Sequence, residues 1–170
     1  MMHFKMLFLS LMLSPVACES QDKFSPVEAT DTFRKELKSA SHVLIYEGLP
    51  HQKFEPDLYQ KESLRTDILT IAGHPFYIPA TMAGDFQILK RLLGNPESLI
   101  RFRGEKLCGG FHPDYCVSWA EGGNACYALI CFGCQEIIFS KGNEIFRYDI
   151  EERVLGELKQ ELSKYKSKRP

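Results

Sequence analysis

Apolar and polar positions change period several times along this 170-residue chain, and each change marks an element. Val27, Phe33 and Leu37 share one face at helical spacing. They follow Ser25-Pro26-Val27-Glu28, a capping box with Pro at the first helical position, which predicts a helix to about Ser39. Val43-Leu44-Ile45-Tyr46 is a short β-prone run ended by Gly48-Leu49-Pro50 and reads as a buried strand. Residues 51–66 are polar, with room for a short helix around Leu58 to Leu64. Asp67 to Ile71 and Phe76 to Ile78 flank the breaker Ala72-Gly73-His74-Pro75 and read as two strands about a tight turn. From Thr81 to Leu93 the period is helical again, with Phe86, Leu89, Leu92 and Leu93 at core spacing before the stop at Gly94-Asn95-Pro96.

Beyond Asp114 the pattern shortens into strands 114–120, 125–131, 134–140 and 144–148, separated by turns at 121–124, 132–133 and 142–143. Asp149 and Glu152 then offer an acidic cap to a final helix whose Val154, Leu155, Leu158, Leu162 and Tyr165 form one stripe. The prediction is an α+β domain: an antiparallel meander with helices packed on one face and a C-terminal helix, over residues 31–170.

The first 17 residues follow a different logic. A short basic start with Lys5, an apolar stretch and the small-residue exit Ser14-Pro15-Val16-Ala17 describe a secretory signal, too short to span a bilayer comfortably. Val16-Ala17-Cys18 resembles the end of a lipobox, although Pro15 stands where Leu is usual and Leu13 lies close by. The expectation is therefore export to a bacterial cell envelope with Cys18 diacylated, and residues 18–30 as a polar tether. Ordinary signal-peptidase cleavage and an uncleaved anchor are the alternatives. Formal net charge is −1 and the tail Lys164, Lys166, Lys168, Arg169 reads as a solvated helix end, so nothing points to nucleic acid as a partner. The expected role is a binding or structural module of the envelope, whose ligand, protein or small molecule, stays open.

Chemistry concentrates in the cysteines. Cys108, Cys116, Cys126, Cys131 and Cys134 fall within 27 residues. Centring a hairpin on Gly122-Gly123 opposes Cys126 to Trp119, Cys116 to Leu129 and Cys131 to Asp114, which places Cys126 on the opposite face from Cys116 and Cys131 and makes it a plain core residue. Cys131-Phe132-Gly133-Cys134 reads as two cysteines flanking a two-residue turn, directly opposed at about 5.5 Å between Cα atoms, which suits a disulfide or a metal knuckle. Cys108 with His112, four residues on, could complete a closed tetrahedral zinc site with Cys131 and Cys134. In an exported chain, oxidation is the alternative, joining Cys131 to Cys134 or one of them to Cys108. An exchanging redox pair is the third reading, weakened because Gln135 to Phe139 continues as strand where a thioredoxin-type site would start a helix. No cofactor is expected otherwise.

Two histidine-containing turns, at His51 and His112, could form a polar pocket with Glu47, Asp114 and Tyr115 if their strands are neighbours. A hydrolytic centre on His51, His112 and Asp114 would require convergence in a cleft, with no nucleophile placed beside them by sequence. His74 reads as a hairpin-tip residue.

The segments 44–51 (LIYEGLPH), 73–77 (GHPFY), 108–115 (CGGFHPDY) and 130–134 (ICFGC) resemble a family of bacterial secreted proteins and lipoproteins with no assigned activity, the likeness covering roughly residues 42–168. That resemblance implies export, one domain, and a three-cysteine site of Cys108, Cys131 and Cys134 with His112 beside it.

Overall fold

A computed structural model describes residues 26–104, 106–121 and 123–170. The signal segment, Cys18 and the tether up to residue 25 lie outside the described residues. In chain order the elements are α1 (Pro26–Ser39), β1 (Val43–Glu47), α2 (Pro56–Ser63), β2 (Ile68–Ile71), β3 (His74–Tyr77), β4 (Thr81–Met82), α3 (Gln87–Gly94), β5 (Leu99–Arg101), β6 (Tyr115–Glu121), β7 (Asn124–Cys131), β8 (Glu136–Lys141), β9 (Glu144–Ile150) and α4 (Glu152–Ser163). The last residues of the expected tether are thus helical. No helix among the described residues is long and apolar enough to cross a membrane.

The fold is α+β. Seven antiparallel strands form one sheet in the order β4-β1-β6-β7-β8-β9-β5, and β2-β3 is a separate hairpin. The β6–β7 register opposes Cys116 to Leu129 and Trp119 to Cys126, as the Gly122-Gly123 hairpin requires. Alternation then sorts the side chains. Val43, Ile45, Val117, Trp119, Cys126, Ala128, Ile130, Ile137 and Phe139 face α1, α3 and α4, which contribute Phe33 and Leu37, Leu89, Leu92 and Leu93, and Val154, Leu158 and Leu162. Burial of each such leucine or phenylalanine stabilises the fold by about 1.5–3 kcal/mol. On the second face Cys116 and Leu129 pack with Ile71 and Phe76 of the β2-β3 hairpin, flanked by Tyr46, Phe111, Tyr127 and Ile138.

Several predicted boundaries move: β3 begins at His74, inside the predicted breaker, and three other shifts have a local reason. The helix expected from Thr81 begins only at Gln87, because Thr81 and Met82 pair with Ile45 and Leu44 and the Ala83 N–H donates to Val43 O. The N-cap is Phe86, whose O accepts from Lys90 N, and just before it Asp85 Oδ1 accepts from Gln87 N at 3.0 Å. The strand expected from 134 begins at Glu136, because residues 132–135 form a four-residue turn with Gln135 at φ +57°. Asp149 does not cap α4: it lies within β9, and Glu151 Oε2 accepts from Val154 N at 3.1 Å instead. At Gly48 the chain runs so close to the 113–114 backbone that a Cβ would sit 2.0 Å from Pro113 O, and Gly48 N donates to Asp114 O at 2.8 Å. That close approach brings the end of β1 against the start of β6.

Candidate functional site

The four-residue turn after β7 decides the cysteine chemistry. Cys131 is paired with Glu136, so Cys131 and Cys134 are not the cross-strand neighbours that a two-residue turn would make them. Cys134 instead faces the loop before β6 and is bonded to Cys108, with Cα atoms 5.5 Å apart and 26 residues of separation. Gly109 makes that loop possible: its φ is +86°, and a Cβ there would lie 2.8 Å from Lys53 Cδ and 3.2 Å from the His51 ring. Cys131 keeps a buried thiol. Its Sγ accepts from Cys134 N at 3.2 Å and from the backbone N–H of His112. Burial pushes this thiol up, and those two donors only partly offset the effect. Burial thus favours the thiol over the thiolate, the nucleophilic form.

Charged partners fix the same loop to the second sheet face. Lys106 Nζ donates to Cys134 O at 2.6 Å and to Asp149 Oδ1 at 2.8 Å, and lies 3.6 Å from Glu136 Oε1. Glu136 is fully buried, and Arg147 donates to its Oε2 through Nε at 2.9 Å and through Nη2. The Arg147 guanidinium lies 4.3 Å from the Phe102 ring centroid and 5.6 Å from that of Phe111. None of Lys106, Glu136 or Arg147 stood out in the sequence. A glutamate at an inward position of the strand after Cys134, with a lysine two residues before Cys108, was the available signal.

The zinc arrangement of Cys108, His112, Cys131 and Cys134 is not assembled. Two of its thiolates are joined to each other, and His112 Nε2 donates to Leu49 O at 2.7 Å. Among the described residues no three His, Cys, Asp or Glu side chains converge as a metal requires. Cys126 is in the core as expected, with its Sγ 2.8 Å from Glu36 Oε2, and Lys141 also reaches that carboxylate. Burial raises the Glu36 carboxyl, but the bonds from Cys126 and Lys141 outweigh it and hold the group below its usual range. Cys116 sits in the second-face core, where burial pushes its thiol far up.

Of the four residues of the predicted polar pocket, Glu47, Asp114 and Tyr115 line one cleft, and His51 is not among its lining residues. Glu47 ends β1 opposite Tyr115, with Asp114 next in the chain. Glu47, Asp114, Tyr115, Phe132, Lys166 and Arg169 line a cleft of about 190 Å³. Burial, then the charges of Glu47 and Asp114, push Tyr115 up to about 12. The partners of these carboxylates are not imidazoles. Glu47 Oε2 accepts the backbone N–H groups of Ser167 and Lys168, at 2.9 and 2.7 Å. Arg169 donates through Nη1 to Asp114 at 3.1 Å and through Nη2 to Glu55 at 2.8 Å, and Lys168 Nζ reaches Pro79 O. The remaining Asp114 oxygen accepts from Phe132 N at 2.8 Å. The basic tail, expected to be solvated, is the occupant of this groove.

His51 and His112 stack at 4.6 Å between ring centroids, with Phe54 4.4 Å beyond His51. His51 Nδ1 accepts from Lys53 N at 3.1 Å, and Glu55 accepts from His51 N. Burial lowers His112 first of all, and its Nε2 proton is committed to Leu49 O. Each ring thus has one nitrogen engaged with backbone, and the hydrogen bonds of Asp114 run to Phe132 and Arg169, so the three groups do not form the relay that hydrolysis needs. His74 meets Phe111 edge-on at 5.2 Å, and burial lowers it too.

No protein-family model matches the chain, and no curated protein or solved structure matches it.

Proposed function

We propose that this chain is an exported envelope module, attached to a bacterial membrane through a diacylated Cys18, and that it works by binding. Cys108–Cys134 keeps its recognition loop rigid in this reading. The observation that carries it is that bond: disulfides persist in oxidising compartments, and this one closes the loop that also bears Gly109 and His112 onto the sheet. Two acyl chains on Cys18 would suffice for stable attachment. The resemblance to secreted proteins and lipoproteins agrees with this role.

Intact-mass measurement on protein extracted from the membrane fraction of the native host tests it. The expected result is a chain beginning at Cys18 with the mass of attached acyl chains and two protons missing. A chain of unmodified mass in the soluble cytosolic fraction would contradict the proposal.

A second reading is thiol exchange, in which Cys131, whose Sγ accepts from Cys134 N at 3.2 Å, would attack the Cys108–Cys134 bond, and the burial that raises this thiol works against it. Exchange requires a reduction potential above about −300 mV, whereas a purely structural bond lies below it. Equilibration of the purified protein in dithiothreitol buffers separates the two.

A further inference from the structure

The groove formed by Glu47, Glu55 and Asp114 holds a basic segment with a bend at Lys168, and that segment is the chain's own Ser167-Lys168-Arg169. Two consecutive backbone N–H groups converge on one oxygen of Glu47, and one guanidinium bridges Glu55 to Asp114. Both features are those of peptide recognition: backbone donors fix the course of the segment, and a planar fork reads a pair of carboxylates. The fit is nonetheless incomplete. Glu47 is 5% exposed and its Oε1 has no hydrogen-bond partner. Leaving a buried carboxylate oxygen without a donor is costly, so the seated tail keeps an unmet demand that water or a better peptide would satisfy. The tail's charged contacts also reach the surface, with the side chains of Arg169 and Glu55 21% and 42% exposed, so individually they hold weakly.

We propose that this groove is a docking site for a Lys-Arg segment of a partner protein that adopts the same bend, and that residues 167–169 are a displaceable resident strap that competes for it. The proposal names a ligand class for the binding module above and rests on that reading, independently of the cysteines and of the anchor. Because a tethered strap acts at an effective concentration of order millimolar, an outside peptide gains access mainly when the strap is loosened.

The test uses a fluorescein-labelled peptide of sequence SKYKSKRP, which is that of residues 163–170, read by anisotropy against the full chain. Full-length Lys168→Ala/Arg169→Ala should bind it at least tenfold more tightly than the unaltered chain does. Adding Glu55→Gln/Asp114→Asn to that variant should abolish the gain, and 0.5 M NaCl should weaken binding. Equal binding by the loosened and unaltered chains, or equal binding of a peptide with Glu in place of every Lys and Arg, overturns the proposal. So does a concentration-dependent dimer of the unaltered chain that the Lys168→Ala/Arg169→Ala pair dissociates, which would give the groove to a second copy's tail. Hydrogen exchange on the unaltered chain supplies a check that needs no variant. The Ser167 and Lys168 amides should exchange at least a hundredfold faster than those of Leu158 and Leu162, and faster still when unlabelled peptide is added. Exchange at the α4 rate would mean that the strap opens only with the fold. A disulfide and an anchored Cys18 found alongside failed peptide binding would remove the ligand class and leave the envelope module standing.

Discussion

The cysteine corner and the carboxylate groove share the segment from His112 to Tyr115, yet they fasten loose chain by opposite means. At the corner a covalent bond, Cys108–Cys134, and a buried charge cluster around Glu136 hold the 102–112 loop. At the groove, hydrogen bonds and ion pairs to Glu47, Glu55 and Asp114 hold the tail. The covalent bond of the first is indifferent to salt and sensitive to reductant; the ion pairs of the second are the reverse. A module built this way keeps one loop permanently placed while leaving a neighbouring site able to open.

The sharpest way to break the contrast is to remove the covalent half. Cys108→Ser/Cys134→Ser opens a loop of 26 residues and should cost about 3.5 kcal/mol on the chain-entropy relation, read as a lowered urea midpoint. The loss should be the same at low and high salt. A loss well under 1 kcal/mol would mean that the charge cluster alone places the loop.

Next in size is Glu136→Ala. Glu136 is fully buried between Lys106 and Arg147, so removing it leaves two cations facing an empty site, at about 3 kcal/mol. Urea unfolding of the oxidised variant should show that loss with Cys108–Cys134 still formed, since the bond does not depend on the cluster.

The smallest effect sharpens the other side. The His51 N–H and Arg169 hold Glu55 below its ordinary 4.5, so this contribution is complete above about pH 4.5 and is lost as pH falls through the lowered value. Because Glu55 is substantially exposed, the whole effect should stay under about 1 kcal/mol. Faster exchange of the Ser167 and Lys168 amides between pH 5 and pH 3, relative to the intrinsic rate, would reveal it. At the corner, Cys134 should stay blocked to alkylation throughout that range.

What the sequence revealed divides along the same line. The β6–β7 register was legible because Gly122-Gly123 sets it and alternation puts Trp119 and Cys126 toward the helices. The stripe of α4 was legible because Val154, Leu158 and Leu162 repeat at helical spacing. The Cys131–Cys134 relation was not, since four residues rather than two make the turn, a choice settled by Gln135 entering the left-handed region against its residue type. Glu47, Asp114 and Tyr115 of the anticipated pocket share a cleft, whereas His51, the fourth residue, does not line it, and the cleft's occupant was not anticipated. Arg169 is 55 residues from Asp114 and 114 from Glu55, and no local pattern encodes contacts of that range. Spacing alone could not say how Cys108, His112, Cys131 and Cys134 would be arranged either, because it permits convergence but does not orient an imidazole, and the His112 ring is turned to Leu49 O.

The central claim is that Cys108 and Cys134 are joined while Cys131 stays a thiol. Peptide mapping by mass spectrometry under non-reducing conditions, after alkylation of the denatured but unreduced protein, tests it directly. The account predicts one cross-linked pair of peptides containing Cys108 and Cys134, with Cys116, Cys126 and Cys131 all alkylated. A Cys131–Cys134 link with Cys108 alkylated would contradict it.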